Sequence, residues 1–266
     1  MLTFRDFITG FRKLEIDRAH PVIVHASLSA LGEVHGGVET VLGALCSSFD
    51  SVVMPTFTYK TMITPEVGPT NNAMIYGSGK DTNRMAEIFH QDMPADPLMG
   101  ILAEKVRLHP RSYRSSHPIL SFAGINAQKF LASQTIKEPL LPIQNLKGAQ
   151  GWVILIGVNQ KVNTSIHYGE YYAGRKQFIR WALTPKGVIP CQGFPGCSEG
   201  FEGITPNLDG VCRRIELGGG LIQAIPLTDL VDIVCGMLTD DPLALLCNRE
   251  DCERCNAVRE SVKQKQ

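Results

Sequence analysis

Residues 163–170 read Asn-Thr-Ser-Ile-His-Tyr-Gly-Glu, which sets a hydroxyl at Thr164, an imidazole at His167 and a carboxylate at Glu170, three positions apart. On a helix that spacing aligns the three side chains along one face. Thr164 is expected to be the N-cap that starts the helix. The apolar run at 152–158 just before it reads as a buried strand. A histidine oriented by a carboxylate beside a hydroxyl donor, at the carboxyl end of a strand, suits general-base chemistry. The same pattern also fits a partly exposed histidine on an amphipathic helix.

A second group of polar residues lies nearer the N-terminus. His25-Ala26-Ser27-Leu28-Ser29 is followed by Gly32 and by His35-Gly36-Gly37, and then by a helical pattern over 38–49. Paired glycines before a helix let backbone N–H groups approach an anion, and the helix N-terminus adds partial positive charge. Ser27 and Ser29 can donate further hydrogen bonds. No Gly-Lys-Ser/Thr follows, so this is not a Walker loop. His25 reads as a buried, hydrogen-bonded strand residue and not as a base.

The elements that must hold these residues alternate. Apolar runs at 21–25, 51–54, 119–124 and 152–158 read as strands, and helical patterns fall at 38–49, 99–108 and 126–131. That alternation implies an α/β fold with a largely buried mixed sheet. The C-terminal third carries short β-like runs at 188–190 and 221–225 and a helical pattern at 229–238. Residues 59–97 are rich in Pro, Gly, Asn and Thr, with weak periodicity and local acidity. So long a loop is either a solvated insertion or a wall of the substrate site.

The 266 residues suffice for a substantial core and read as one domain over 1–266. Apolar residues make up 44% and charged residues 20%, while Lys+Arg and Asp+Glu both total 26. There is no global field to draw in nucleic acid or an anionic membrane. No apolar run reaches spanning length and no basic segment leads an apolar stretch at the start, so a cytoplasmic location is expected. Of the 8 cysteines, Cys46, Cys212 and Cys235 read as small core residues. Disulfides are not expected in a reducing cytoplasm. Cys247, Cys252 and Cys255, in the segment 240–266, form a C-x4-C-x2-C run. With Cys191 or Cys197 they either hold a structural zinc or remain free thiols, and the free thiols are the favoured reading.

Read in order, His25-x-Ser27-Leu28, Gly32-x-x-x-Gly36-Gly37, Pro55-Thr56-Phe57-Thr58, Asp96-Pro97, Met99-Gly100, Arg114-Ser115-Ser116-His117-Pro118 and Asn163-Thr164-x-x-His167-x-x-Glu170 form a series. The series resembles the aminoglycoside 3-N-acetyltransferase family, which is unrelated in fold to the GNAT acetyltransferases. The stretch 197–201 and the terminal cysteine segment are similar to features of some members.

The resemblance implies a three-layer α/β/α sandwich with a mixed central sheet, using acetyl-coenzyme A as co-substrate. It implies that Ser27, Leu28, Ser29, Gly36 and Gly37 hold pyrophosphate and pantetheine. Thr56, Phe57, Ser116, His117 and Pro118 would line the same tunnel, although His117 reads better as a brace for its turn. It implies His167, Glu170 and Thr164 as the catalytic group. An imidazole takes the proton that an ammonium must lose before it can attack a thioester, and the carboxylate orients that imidazole. Thr164 or nearby N–H groups would face the oxyanion. Transfer would be direct, within a ternary complex and without an acyl-enzyme. Because an aminoglycoside is a polycation, Glu66, Asp96 and Glu199 are expected at its site, with Tyr59 as a hydrogen-bonding platform. The short 59–97 loop leaves open a relative acting on another amine. A hydrolase using Ser165 or Ser27 is the rival chemistry, and it lacks a Gly-x-Ser-x-Gly elbow. The expected assembly is a monomer or homodimer.

Overall fold

A computed structural model describes residues 1–264. A seven-stranded mixed sheet forms its middle layer. In chain order the main elements are α1 (Phe4–Lys13), β1 (Val22–Ala26), α2 (Gly37–Ser48), β2 (Val52–Pro55), β3 (Met62–Ile63), α3 (Gly100–Leu108), β4 (Ser112–Arg114), β5 (Phe122–Ile125) and α4 (Gln128–Leu131). There follow α5 (Leu141–Gly148), β6 (Trp152–Ile156), α6 (Thr164–Tyr172), β7 (Phe178–Thr184), β8 (Gly187–Phe194), β9 (Arg213–Leu217), β10 (Gly220–Pro226), α7 (Leu227–Asp240) and α8 (Glu253–Lys263). The sheet order is β4-β5-β2-β1-β6-β10-β9, and β3-β7-β8 make a separate three-stranded sheet.

Among the described strands of this sheet, β2, β1 and β6 run parallel and the flanking pairs are antiparallel. The buried central strands are correspondingly continuous apolar runs, Val22-Ile23-Val24 and Val153-Ile154-Leu155-Ile156. Their side chains alternate between faces. Val22 and Val24 pack with α1, α2 and α3, whereas Ile23 joins the core made with α5, α6 and α7. The result is three layers, α/β/α, as the motif series implies.

The direction of the crossovers places the cleft. After β1 the chain turns to α2 on one face, and after β6 it turns to α6 on the other. The two strands pair in parallel, with His25 opposite Leu155 and Ala26 opposite Ile156. Chains that leave adjacent parallel strands toward opposite faces open a crevice at the carboxyl ends. Gly157 permits the tight exit from β6: its φ is +63°, and a Cβ there would lie 2.8 Å from the Ser27 carbonyl oxygen.

Two expectations need correction. The 59–97 segment is strapped down, with Met62 and Ile63 pairing with Trp181 and Ala182 of β7. Asn72, buried within it, accepts from the Ile179 N–H at 2.9 Å and donates to the Ile179 carbonyl at 3.1 Å. Such pairings link sites over a hundred positions apart, so no local period announces them. Secondly, Cys46, Cys212 and Cys235 are half-buried at the edges of the core and not within it. Among the described residues, no helix is long and apolar enough to cross a membrane.

Candidate active site

His167 sits on the first turns of α6 with its ring against a cleft of about 910 Å³. Asn163, not Thr164, caps the helix, its side chain accepting from the Ser165 N–H at 3.1 Å. Thr164 is instead the first helical residue and lines the cleft one turn before His167. His167 Nδ1 lies 2.8 Å from Glu170 Oε2, so Nε2 is the ring nitrogen left for the cleft. Phe201 holds the ring from the side, with centroids 4.6 Å apart in an edge-on arrangement. Glu170 is 2% exposed and its other oxygen accepts from Arg175 Nη1 at 2.6 Å. Arg175 Nη2 in turn donates to the carbonyls of Pro242 and Ala244 at 2.8 and 2.7 Å. Such partners offset the cost of burying a carboxyl group.

The opposite side of α6 fixes the helix in place. Gly169 faces α7, where a Cβ would approach the Val234 Cβ and Cγ1 to 2.8 Å. That close approach orients the helix and hence the ring of His167. Ser165, although next to the turn that carries His167, is fully buried with an unpartnered hydroxyl, so it cannot meet a substrate from the cleft. The Ser27 hydroxyl pairs with Ser29 at 3.1 Å. Neither serine hydrogen-bonds His167, which removes the geometric basis for the hydrolase alternative.

Ser27, Leu28, Ser29, Phe57 and Tyr59 join His167 and Thr164 on the cleft wall. Gly36 and Gly37 are exposed at the start of α2, with φ of +73° and +59°, outside that wall. Two helix N-termini do face the cleft, that of α6 through Asn163 and Thr164 and that of α3 through Leu98, Met99, Gly100 and Ile101.

Thr56, Ser116, His117 and Pro118 also lie off the wall, and most of them are scaffold. The Thr56 hydroxyl donates to the Ser121 carbonyl at 3.2 Å, and the Pro118 carbonyl accepts from both Thr58 and Thr61 at 2.7 Å. His117 Nδ1 accepts from the N–H groups of Ile119 and Leu120 at 3.1 and 2.9 Å, bracing its turn. Burial pushes its pKa down to about 4. Arg114 beneath them donates to the carbonyls of Thr56, Gln91 and Met93, and tethers the end of β2 to the 91–93 segment. Burial lowers its pKa to about 10, which leaves it charged at neutral pH. The Arg-Ser-Ser-His-Pro motif therefore supports Phe57 and Tyr59 from below. Ser116 itself is exposed.

His25 is on the wall but lacks the hydrogen bonding expected of it, because its Nε2 has no protein partner. Burial alone drives its pKa down to about 3.

The acids expected for the acceptor do not line the cleft. Asp96 caps a short turn by accepting from the Leu98 N–H at 3.0 Å, close enough to Tyr59 to act on it. The Tyr59 phenol is pushed up to about 12, first by burial and then by the Asp96 charge, with Arg254 partly offsetting both. Glu199 pairs with Lys161 across 3.0 Å at the exposed rim. Glu66 is exposed on the 59–97 segment near Gly77, away from the wall. The charged wall residues besides the histidines are Lys161 and Arg254, both cations.

Sequence reasoning missed Arg175 and Arg254, and it quoted Asn163, Met99-Gly100 and the 197–201 stretch only as motif members, without a role at the site. An Asn two residues before a serine at a helix start is itself a cap signal, and Asn163 could have been found that way. Arg254 enters the cleft from a helix some ninety positions beyond His167, and no local pattern points to it.

Fold and site together define an α/β enzyme with its cleft at the topological switch point of a mixed sheet. The family described as aminoglycoside 3-N-acetyltransferase has a profile that matches residues 23–239, and the chain belongs to that family of acyltransferases. It is 25% identical to aminoglycoside N(3)-acetyltransferase III of Salmonella sp over 278 aligned residues, covering 88% of this chain and 89% of that protein. The crystal structure of aminoglycoside acetyltransferase AAC(3)-IVa, apoenzyme, superposes with a TM-score of 0.80 at 21% identity, covering 98% of each chain. The structure of AAC-IIIb binary with CoASH gives a TM-score of 0.71 at 19% identity, covering 90% of this chain and 96% of that one.

Proposed function

We propose that this protein transfers the acetyl group of acetyl-coenzyme A to the 3-amino group of an aminoglycoside, with His167 as general base and no covalent acyl-enzyme. The observation that carries this reading is the clamp on His167. Glu170 Oε2 at Nδ1 selects the tautomer whose Nε2 is a free acceptor, and that nitrogen belongs to a cleft-lining ring.

The chain's residues fit the co-substrate. Ser27 and Ser29 hydroxyls, the N-terminal turn of α3, Lys161 and Arg254 suit phosphate oxygens, with exposed Gly36 extending the track, whereas the Gly37 N–H already donates to the Val34 carbonyl at 3.0 Å. Met54, Phe57 and Leu98 offer apolar wall for a pantetheine arm. A family relative that binds CoASH supports the same assignment. Acetyl-coenzyme A supplies an acyl carbon already activated as a thioester.

His167 Nε2 removes a proton from the acceptor amine as its lone pair forms the new C–N bond. Glu170 holds the resulting imidazolium in place and meets its charge. The Thr164 hydroxyl, one turn away on the wall, is the donor for the carbonyl oxygen as it gains negative charge. The C–S bond then breaks, and the proton held on His167 goes to the departing sulfur. The products are an amide and a free thiol, and the base is restored.

A second reading, transfer to a different amine, draws on one observation: no carboxylate lines the described cleft, whereas a polycationic acceptor calls for several. Following thiol release across a panel of aminoglycosides and simple polyamines decides between the two. The first reading requires turnover with 2-deoxystreptamine drugs and a raised inhibitory concentration in a susceptible host. Turnover with polyamines alone selects the second. Radiolabelled acetyl retained on the protein without acceptor would overturn direct transfer.

A further inference from the structure

Four sulfurs that are scattered in sequence come together in space. The Sγ atoms of Cys197, Cys247, Cys252 and Cys255 all lie within 4.8 Å of one another. Cys247 and Cys255 are 3.4 Å apart, well beyond a disulfide bond length. A zinc ion with Zn–S bonds of about 2.3 Å has sulfurs roughly 3.8 Å apart in a regular tetrahedron. The sulfur–sulfur distances therefore need to change by no more than about 1 Å for the cluster to close around an ion. Cys191, the other candidate ligand, is buried separately in the main core.

We propose that Cys197, Cys247, Cys252 and Cys255 bind a structural zinc ion that locks α8 onto the wall of the active-site cleft. Binding exchanges up to four thiol protons for four Zn–S bonds, leaving a tetrathiolate of net charge −2. The surroundings match that charge. The Glu199 N–H donates to the Cys197 sulfur at 3.4 Å, and Arg259 reaches the Cys247 carbonyl at 2.5 Å. Three of the sulfurs belong to buried residues and Cys252 is half-buried, a closed site with no open position. Besides the cysteines, α8 is held by Ala257 and Val258 in the core and by hydrogen bonds at Arg254, Arg259 and the Ala257 carbonyl.

The site abuts the cleft. Cys197 lies between Gly196 and Ser198 of the wall, and Arg254, between two ligands, is itself a wall residue that donates to the Gly196 carbonyl at 3.0 Å. Zinc would thus fix the position of one of the cleft's two non-histidine cations. This inference does not depend on which amine is acetylated.

The test is elemental analysis of the full chain purified without a chelating tag. About one zinc per chain is expected in the wild type and in Cys46→Ser, and close to none in Cys252→Ser/Cys255→Ser. Should the double variant fail to fold, cobalt exchanged into the wild type gives a second readout. Intense tetrahedral tetrathiolate absorption in the visible supports the site, and a weak octahedral spectrum overturns it. Protein grown with ample zinc that carries no metal, or whose intact mass shows a Cys247–Cys255 disulfide, would also overturn it. Chelation should lower the melting temperature, and zinc but not magnesium should restore it.

Discussion

Buried imidazoles occur in two settings, and only one suits proton transfer at neutral pH. On α6, His167 has a carboxylate 2.8 Å from one nitrogen and the cleft at the other. At the ends of β1 and before β5, His25 and His117 are buried with no acid beside them, and burial holds their pKa values down to about 3 and 4. A proton reaching His167 meets a counter-charge, whereas one reaching His25 or His117 would stand uncompensated in the interior. The difference teaches that proximity to a cleft does not make a base, since His25 is on the wall as well. What sets His167 apart is the acid one helical turn away, and its proposed role as base rests on that acid.

The sharpest way to break the comparison is His167→Ala, expected to cut kcat by about 10²–10⁴-fold while the protein stays folded. Near-normal turnover by the thiol-release assay would put the base elsewhere. Glu170→Gln keeps the shape but removes the charge that orients the ring, and should lower kcat by roughly 10–10³-fold with a smaller change in KM. If both parameters moved equally, Glu170 would serve folding through Arg175 more than catalysis. Gly169→Ala tests the packing behind the helix: forcing α6 off Val234 should destabilise by about 1–3 kcal/mol in denaturant melts.

The neutral histidines make a prediction about acid. Between pH 6.5 and about 4 the unfolded chain takes up protons on His25 and His117 while the folded chain does not. The unfolded state binds more protons there, so stability is fully present above pH 6.5 and is lost as the pH falls. His117→Asn retains an acceptor for the Ile119 and Leu120 N–H groups but cannot titrate. Its melting temperature should therefore fall less steeply over that window than the wild type's. The smallest effect is expected at the rim. Because both partners are solvated, Lys161→Ala/Glu199→Ala should show a coupling of no more than about 1 kcal/mol in a double-mutant cycle.

Much of this was legible in the chain itself. Strands β1, β2, β5 and β6 and helices α2, α3 and α7 fall within a few residues of their apolar patterns, because burial and local periodicity act over short windows. Other pieces were not picked out: β4, β7, β9 and α5 were missed and β8 was read only at 188–190, because β4 has three residues and β7, β8 and β9 mix more and less buried positions with no continuous apolar run. Among site residues, those within one turn or one loop of each other were brought together, as with Thr164, His167 and Glu170, or Ser27, Leu28 and Ser29. Gly36, Gly37, Thr56, Ser116 and Pro118 were placed at the co-substrate through the motif resemblance and lie off the wall, whereas His117, read as a brace for its turn, is one.

The spacing of His167 and Glu170 is a local fact, since three residues on a helix bring their side chains into contact wherever that helix lies. Sequence alone thus determined the pair and the α/β layering. Only the tertiary structure decided that Arg175 completes the pair, that α3 in place of α2 presents its N-terminus to the cleft, and that Cys197 meets three cysteines some fifty positions away. Those contacts depend on which faces of the sheet the crossovers take. That choice follows from burying two apolar cores at once, a property of the whole chain and of no single segment.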